Sequence, residues 1–212
     1  MTIQLSVLVV CEESGKVRNE FRRLGHNAYS NDLVQARDGS EYHLKMDAFD
    51  AISTRVWDII ILHPPCDYLA SSGNNWYSYG KPKFYLRKEA LAWTIKLWYH
   101  AKNHSDHVAM ENPIGVLSGI AFMEATQWIH PRDHGHIESK KTGLWLHNLP
   151  KLVPTKIVPK PQKGSIEEMA AHRLTNMPRK ESRKRDRSET FLGIAKAMAY
   201  QWSQHVINQK EI

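Results

Sequence analysis

The sequence predicts an α/β fold, a parallel-rich sheet flanked by helices with a small C-terminal extension. Two short, continuous apolar runs, residues 5–10 (LSVLVV) and 57–62 (WDIIIL), have the β-branched content of strands buried on both faces. Segments of helical periodicity lie between and after them, and such alternation argues for a doubly wound, Rossmann-like sheet. A chain of 212 residues with 42% hydrophobic and 24% charged residues can bury a core of its own.

After the first strand comes Glu12-Glu13-Ser14-Gly15, then a helix over residues 17–24 with Val17, Phe21 and Leu24 on one face, closed by Gly25. Residues 27–30 form the second strand, ending at Asn31-Asp32. The run at 57–62 leads into His63-Pro64-Pro65-Cys66. Residues 71–84 (SSGNNWYSYGKPKF) are rich in glycine and asparagine and predict a mobile lid beside the cysteine. Residues 88–100 read as an amphipathic helix with Leu91, Ile95 and Trp98 on one face, and residues 108–110 as a brief strand before Glu111-Asn112-Pro113. Residues 142–146 (TGLWL) form another strand. Residues 148–161 are a proline-rich connector, and residues 188–205 a final helix with Phe191, Ile194, Ala195, Met198 and Trp202 aligned. The organisation expected is a catalytic core over 1–147, a basic, proline-rich, substrate-contacting insert over 148–187, and a C-terminal helix over 188–212 packing back on the core.

Charge is concentrated in the insert. Between Arg173 and Arg187 there are seven Arg or Lys and two acids, a surplus of +5 within a chain of net charge +7. Arg179, Lys180, Arg183, Lys184, Arg185 and Arg187 form a candidate nucleic-acid contact; the plain alternative is a solvated connector. No apolar run approaches the roughly 18 residues of a membrane span, nor does the N-terminus read as a signal peptide, so a cytoplasmic protein is expected. Two cysteines, Cys11 and Cys66, are too few for a disulfide framework or a cysteine-based zinc site. The twelve histidines include spaced groups at 100–107 and 130–136, yet the chemistry read below needs no metal, and none is expected.

Ligands of open parallel sheets sit beyond the carboxyl ends of the strands. Gly15 lets the backbone approach a ligand there, and the following helix points its positive end at the same place. Asp32, at the end of the second strand, is placed to meet ribose hydroxyls, and Asp47 to accept from an adenine amino group. Glu12-Glu13 would repel a pyrophosphate, which counts against a dinucleotide and is tolerable for S-adenosylmethionine. Asp32 read alone is also an ordinary turn residue.

Cys66 follows two prolines that fix the backbone and cannot donate hydrogen bonds, so it stands on a rigid segment at a strand mouth. A thiolate there suits nucleophilic attack. Carbon 5 of a pyrimidine becomes nucleophilic once a thiolate adds to carbon 6, and an acid near ring nitrogen 3 eases that addition. Glu111, at the end of the next parallel strand, is the candidate acid, with a pKa expected to be raised by burial. Each has a plainer reading, Cys66 as a small buried hydrophobe and Glu111 as a capping acid.

PPC after one buried strand and ENP after the next resemble the Pro-Cys and Glu-Asn motifs of the cytosine-5 DNA methyltransferases. The segments LSVLVVCEESGKVRNEFRRLGHNAYSNDL, HPPCDYLASSG, ENPIGVLS, KKTGLWLHNLP and RSETFLGIAKAMAYQW are similar to the short methyltransferase-like proteins of phages and prophages. That resemblance covers most of the chain and implies a class I methyltransferase fold. It implies Cys66 as nucleophile, Glu111 as the acid at ring nitrogen 3, and Lys140 or Lys141, with Lys141 preferred, near the base carbonyl. It places Glu12, Glu13, Ser14, Gly15, Asp32, Asp47 and Pro64 around S-adenosylmethionine, closed over by the segment from Thr190 to Ile194. CEESG stands where the family has phenylalanine-glycine-glycine, and only residues 148–177 leave room for target recognition. DNA and a free deoxycytidine nucleotide therefore both remain candidate substrates. A non-catalytic DNA-binding protein and a histidine-dependent nuclease are the readings from other classes.

Overall fold

The computed structural model describes residues 3–120, 123–173, 177 and 186–211. Its centre is a seven-stranded sheet: β1 (Ser6–Val10), β2 (Asn27–Asp32), β3 (His43–Lys45), β4 (Ile59–Leu62), β5 (Val108–Pro113), β6 (Gln127–Ile129) and β7 (Thr142–His147). The spatial order is β3-β2-β1-β4-β5-β7-β6. The first five pair in parallel, and β7 runs antiparallel to both β5 and β6. The order 3-2-1-4-5 is that of a doubly wound sheet, so the switch point lies between β1 and β4, where Val7 faces Ile59 and Val10 faces Leu62.

The helices are α1 (Lys16–Arg23), α2 (Ala48–Ser53), α3 (Asn74–Tyr77), α4 (Phe84–Lys102), α5 (Ile166–Ala171) and α6 (Leu192–Lys210). Of these, α1 and α6 pack on one face of the sheet, α2 and α4 on the other, and α3 lies against α4. The period-2 alternation of a strand sorts β1 into two cores. Val7 and Val9 pack with Phe21 of α1 and Met198 and Trp202 of α6. Leu8 and Val10 pack on the opposite face with Ile52, Trp57 and, from α4, Leu97 and Trp98. Residues buried on both faces explain why β1 and β4 read as unbroken apolar runs. Among the described residues, no helix is long and apolar enough to cross a membrane.

Local chemistry sets the entry to α1. Gly15 takes φ 68°, and a Cβ there would stand 2.2 Å from the Arg18 guanidinium. The helix's first amides are met by the buried Glu12 carboxylate, 2.6 Å from Val17 N and 3.3 Å from Arg18 N. Gly25, at φ 90°, donates to Arg22 O and ends the helix as expected.

Two segments make contacts that their composition does not announce. Within residues 71–84, Ser71–Gly73 form a 3-10 turn and Asn74–Tyr77 form α3, followed by turns. The buried Arg87 donates to Asn74 Oδ1 at 2.9 Å and, just before the segment, to Tyr68 O at 2.6 Å and Ala70 O at 3.2 Å. The proline-rich segment contributes to the core. Leu149 and Leu152 are buried in the α1/α6 core, Trp202 Nε1 donates to Pro150 O, and Gln201 bonds both the amide and carbonyl of Val153. The final helix packs back on the core, against α1.

Candidate functional site

A cleft of about 920 Å³ opens at the carboxyl ends of β1, β2, β4 and β5, over the switch point. Cys66 and Glu111 both line it. Neither is lost in the hydrophobic core: Cys66 is partly exposed and the Glu111 side chain is 10% exposed.

Backbone contacts fix the segment that carries Cys66. His63 N donates to Val10 O at 3.0 Å, ending β4 against β1. Pro64 and Pro65 offer no N–H, but the Pro64 carbonyl accepts from Asn112 Nδ2 at 2.9 Å. Asn112 is 1% exposed and directly follows Glu111, so one side chain ties the cysteine segment to the acid's strand. Beyond it, Leu69 and Ala70 N both donate to Cys66 O, and Val116 N donates to Leu69 O. Gly115 permits that approach, since a Cβ there would lie 2.1 Å from Leu69 O.

The electrostatics around Glu111 overturn one expectation. Burial pushes its pKa up, but the hydrogen bond and charge of His63, with Lys140 and Thr190 behind them, outweigh burial and hold it below the ordinary carboxylate value. His63 Nδ1 lies 3.1 Å from Glu111 Oε2, and Thr190 Oγ1 donates to the same oxygen at 3.1 Å. Burial lowers the His63 pKa, yet the Glu111 hydrogen bond and charge, aided by Glu12, carry it above 6.5. Of the two, His63 therefore holds a shared proton in preference to Glu111, which favours the carboxylate. Burial raises the Cys66 pKa, and Asp67 adds to this, so Cys66 rests as a thiol. The Cys11 thiol is pushed up to about 12 by burial, then by the charges of Asp32 and Asp47, and is inert.

The expected cofactor residues fall into three groups. Ser14, Asp32 and Pro64 line the cleft, Asp32 also accepting from Val34 N at 3.3 Å. Glu12 and Glu13 line it too, but Glu12 is committed to the start of α1 and Glu13 pairs with Arg37 at 2.5 Å. The positive end of α1 is thus occupied by a protein carboxylate rather than open to a ligand. Gly15 is not among the lining residues, and its conformation serves Arg18. Asp47 caps α2, accepting from Phe49 N at 2.8 Å, and is not on the cleft wall.

Lys140 lines the cleft and donates to Arg187 O at 2.8 Å, whereas Lys141 points its Nζ over the Trp128 ring, 5.1 Å from its centroid. Of the two lysines in the segment before β7, Lys140 is therefore the one at the cleft. Arg187 reaches the cleft; Arg179, Lys180, Arg183, Lys184 and Arg185 lie outside the described residues. The histidines at 100–107 stack and bond locally, with the His100 and His104 rings 4.4 Å apart and His107 on Gln209. His136 accepts from Gly193 N at 2.9 Å. Among the described residues, no three His, Cys, Asp or Glu are grouped to hold a metal.

Sequence reasoning missed His63, Asn112, Arg37 and Glu189. Arg37 bonds Glu13 and Glu189, Glu189 also pairs with Lys16, and Arg37 Nη2 is buried beside the cleft without a partner. His63 directly precedes PPC, Asn112 stands within ENP and Glu189 within the RSETFLG segment, though none was singled out; nothing in the sequence around Arg37 marks it. The sequence matches no protein-family model and no curated protein.

Proposed function

We propose that this protein is an S-adenosylmethionine-dependent methyltransferase of the class I fold that acts in the cytoplasm on carbon 5 of cytosine in DNA. The observation that carries the reading is the joint placement of Cys66 and Glu111 on one cleft at neighbouring strand ends, locked by the Asn112–Pro64 bond. In this reading Cys66 Sγ forms a bond to carbon 6, and the displaced electron pair passes toward ring nitrogen 3. That nitrogen is protonated through the Glu111 carboxyl, which rests ionised and must first be given the proton it delivers. The thiol proton leaves to water in the cleft, as does the carbon 5 proton before Sγ–C6 breaks. Lys140 stands where a cation can face the base carbonyl.

The cleft suits the methyl donor. Asp32 at the end of β2 is placed for ribose hydroxyls, and the unpartnered Arg37 Nη2 is a ready donor for a carboxylate. S-adenosylmethionine, when bound, supplies a methyl group activated by its sulfonium charge. Both cysteines are free thiols, in keeping with a reducing compartment.

One observation favours a deoxycytidine nucleotide as the substrate instead. Leu149, Leu152 and Val153 are engaged with α6, so this part of the expected target-reading insert is committed to the core. Tritiated methyl transfer, offered to DNA and to dCMP in parallel, decides between them. No 5-methylcytosine from either substrate would remove the reading.

A further inference from the structure

Resting on that reading, we infer that His63 is the proton store behind Glu111, a positioning residue that holds Oε2 of the carboxyl and supplies the proton that Glu111 delivers to the base. His63 stands at the tip of β4, between the Glu12 carboxylate after β1 and Glu111 on β5. Its Nδ1 is 3.1 Å from Glu111 Oε2, where Thr190 Oγ1 also donates. Neither bond uses Oε1, which leaves one carboxyl oxygen for a ligand while the other is clamped. The His63 ring is 13% exposed, and its Nε2 is buried without a hydrogen-bond partner. An unpaired buried nitrogen is a cost that a histidine kept only for packing would not need to carry.

The charged groups that bear on His63 are Glu111 from β5, Glu12 from the loop after β1, and Lys140 from the segment before β7. Glu111 does most to favour the imidazolium, by its hydrogen bond and its charge; Glu12, whose own pKa is raised by burial, adds less, and Lys140 opposes both. The other neighbours are poor proton sources. The Thr190 hydroxyl is not acidic, and the Lys140 ammonium is turned to the Arg187 carbonyl.

An ionised Glu111 is an acceptor only and has no proton to give to ring nitrogen 3. With His63 the step balances. The Nδ1–H bond breaks and an Oε2–H bond forms, converting imidazolium and carboxylate into imidazole and carboxylic acid. Once the proton has moved, neutral His63 no longer donates to Oε2 and the clamp opens, so a half-turn of the carboxyl about Cγ–Cδ presents the O–H to ring nitrogen 3. As the new Sγ–C6 bond forms, the C5=C6 pair moves into C4=C5 and the C4=N3 pair takes the proton as the N3–H bond. Glu111 is again a carboxylate, and His63 is neutral. When Sγ–C6 breaks, ring nitrogen 3 returns its proton by the same path.

The test uses His63→Asn, whose amide keeps a donor near the place of Nδ1 but cannot store a proton, alongside His63→Ala. Methyl transfer to a cytosine-containing oligodeoxynucleotide is followed against pH, and the imidazole of His63 is titrated by NMR in the wild-type protein and in Glu111→Gln. The expected kcat of the wild type is level near neutrality and falls on the alkaline side as His63 loses its proton. His63→Asn should lower kcat about 10²-fold or more with little change in KM, and should lose that alkaline fall. His63 should be doubly protonated at pH 7 in the wild type and neutral in Glu111→Gln. If His63→Asn restores what His63→Ala loses with an unaltered pH profile, the proton store is overturned while the methyltransferase reading stands. A neutral His63 at pH 7 in the wild type overturns it even where a variant fails to fold. A charged His63 in a protein that transfers no methyl group to cytosine overturns the methyltransferase reading, and the relay with it.

Discussion

The buried His63–Glu111 pair makes stability depend on pH in two directions. The folded pKa of His63 is raised, so its contribution is complete below the ordinary value of 6.5 and fades as pH rises through the folded value. That of Glu111 is lowered, so its contribution is complete above the ordinary value of 4.5 and fades as pH falls through the folded value. Both are fully present only between those limits. Urea denaturation across the pH range should therefore show the wild type's advantage over a His63→Asn, Glu111→Gln double variant greatest between about pH 4.5 and 6.5, shrinking on either side. An advantage that grows steadily into alkali would contradict the ion pair. The two cysteines offer a second contrast at this scale. Cys11, held up to about 12 and at φ 58°, should resist iodoacetamide at pH 8, whereas Cys66 on the open cleft should be alkylated, the faster the higher the pH. Both thiols touch the cleft, so peptide mapping that finds Cys11 labelled first would contradict the burial that holds its proton.

At the level of elements, the site depends on two loops zipped together beyond β4 and β5. Ala70 and Gly115 form a bridge, and a methyl group on Gly115 would press on the Leu69 backbone, which has little freedom to yield. Gly115→Ala should cost about 1–3 kcal/mol in urea denaturation, and more in activity than in stability, because Cys66 and Glu111 separate when the loops do. Gly119→Ala, where an added Cβ meets nothing within 4 Å, is the control and should be neutral. Legibility also varied at this scale. β1 and β4 were plain in the sequence because both of their faces are buried, whereas β3 and β6, of three residues each and at or near the edges, are too short to show a period. The buried side of α4 includes Arg87 and Thr94, polar groups that satisfy loop and helix carbonyls, which blurs its apolar stripe. Cys66 and Glu111 were legible because short motifs mark them. Asn112 was not, since its role is a bond to Pro64 across 48 positions, and a pattern read along the chain cannot reveal a contact made by strand pairing.

For the molecule as a whole, the C-terminal helix couples the core to the cleft. Trp202 is fully buried between β1 and α1, while the residues just before the helix, Glu189 and Thr190, reach the site. Trp202→Ala removes a large buried side chain and its bond to Pro150 O, at a cost of about 3–5 kcal/mol. Stability and the site should therefore weaken together in that variant. Glu189→Gln separates the two. Glu189 joins Lys16 after β1 to Arg37 after β2, and Arg37 in turn holds Glu13, so three chain segments meet in one partly buried ionic network at the cleft. Each side chain keeps some contact with solvent, so losing one charge should barely move the melting temperature. On the proposed reading it should release Arg37 from one of its two carboxylates and loosen the segment before α6, weakening S-adenosylmethionine binding by about tenfold, equivalent to about 1.4 kcal/mol. Calorimetry at low and high salt checks this: the wild type should lose affinity as salt rises and Glu189→Gln much less. Equal affinities in both proteins would mean that the network holds the fold alone and takes no part in closing the cleft.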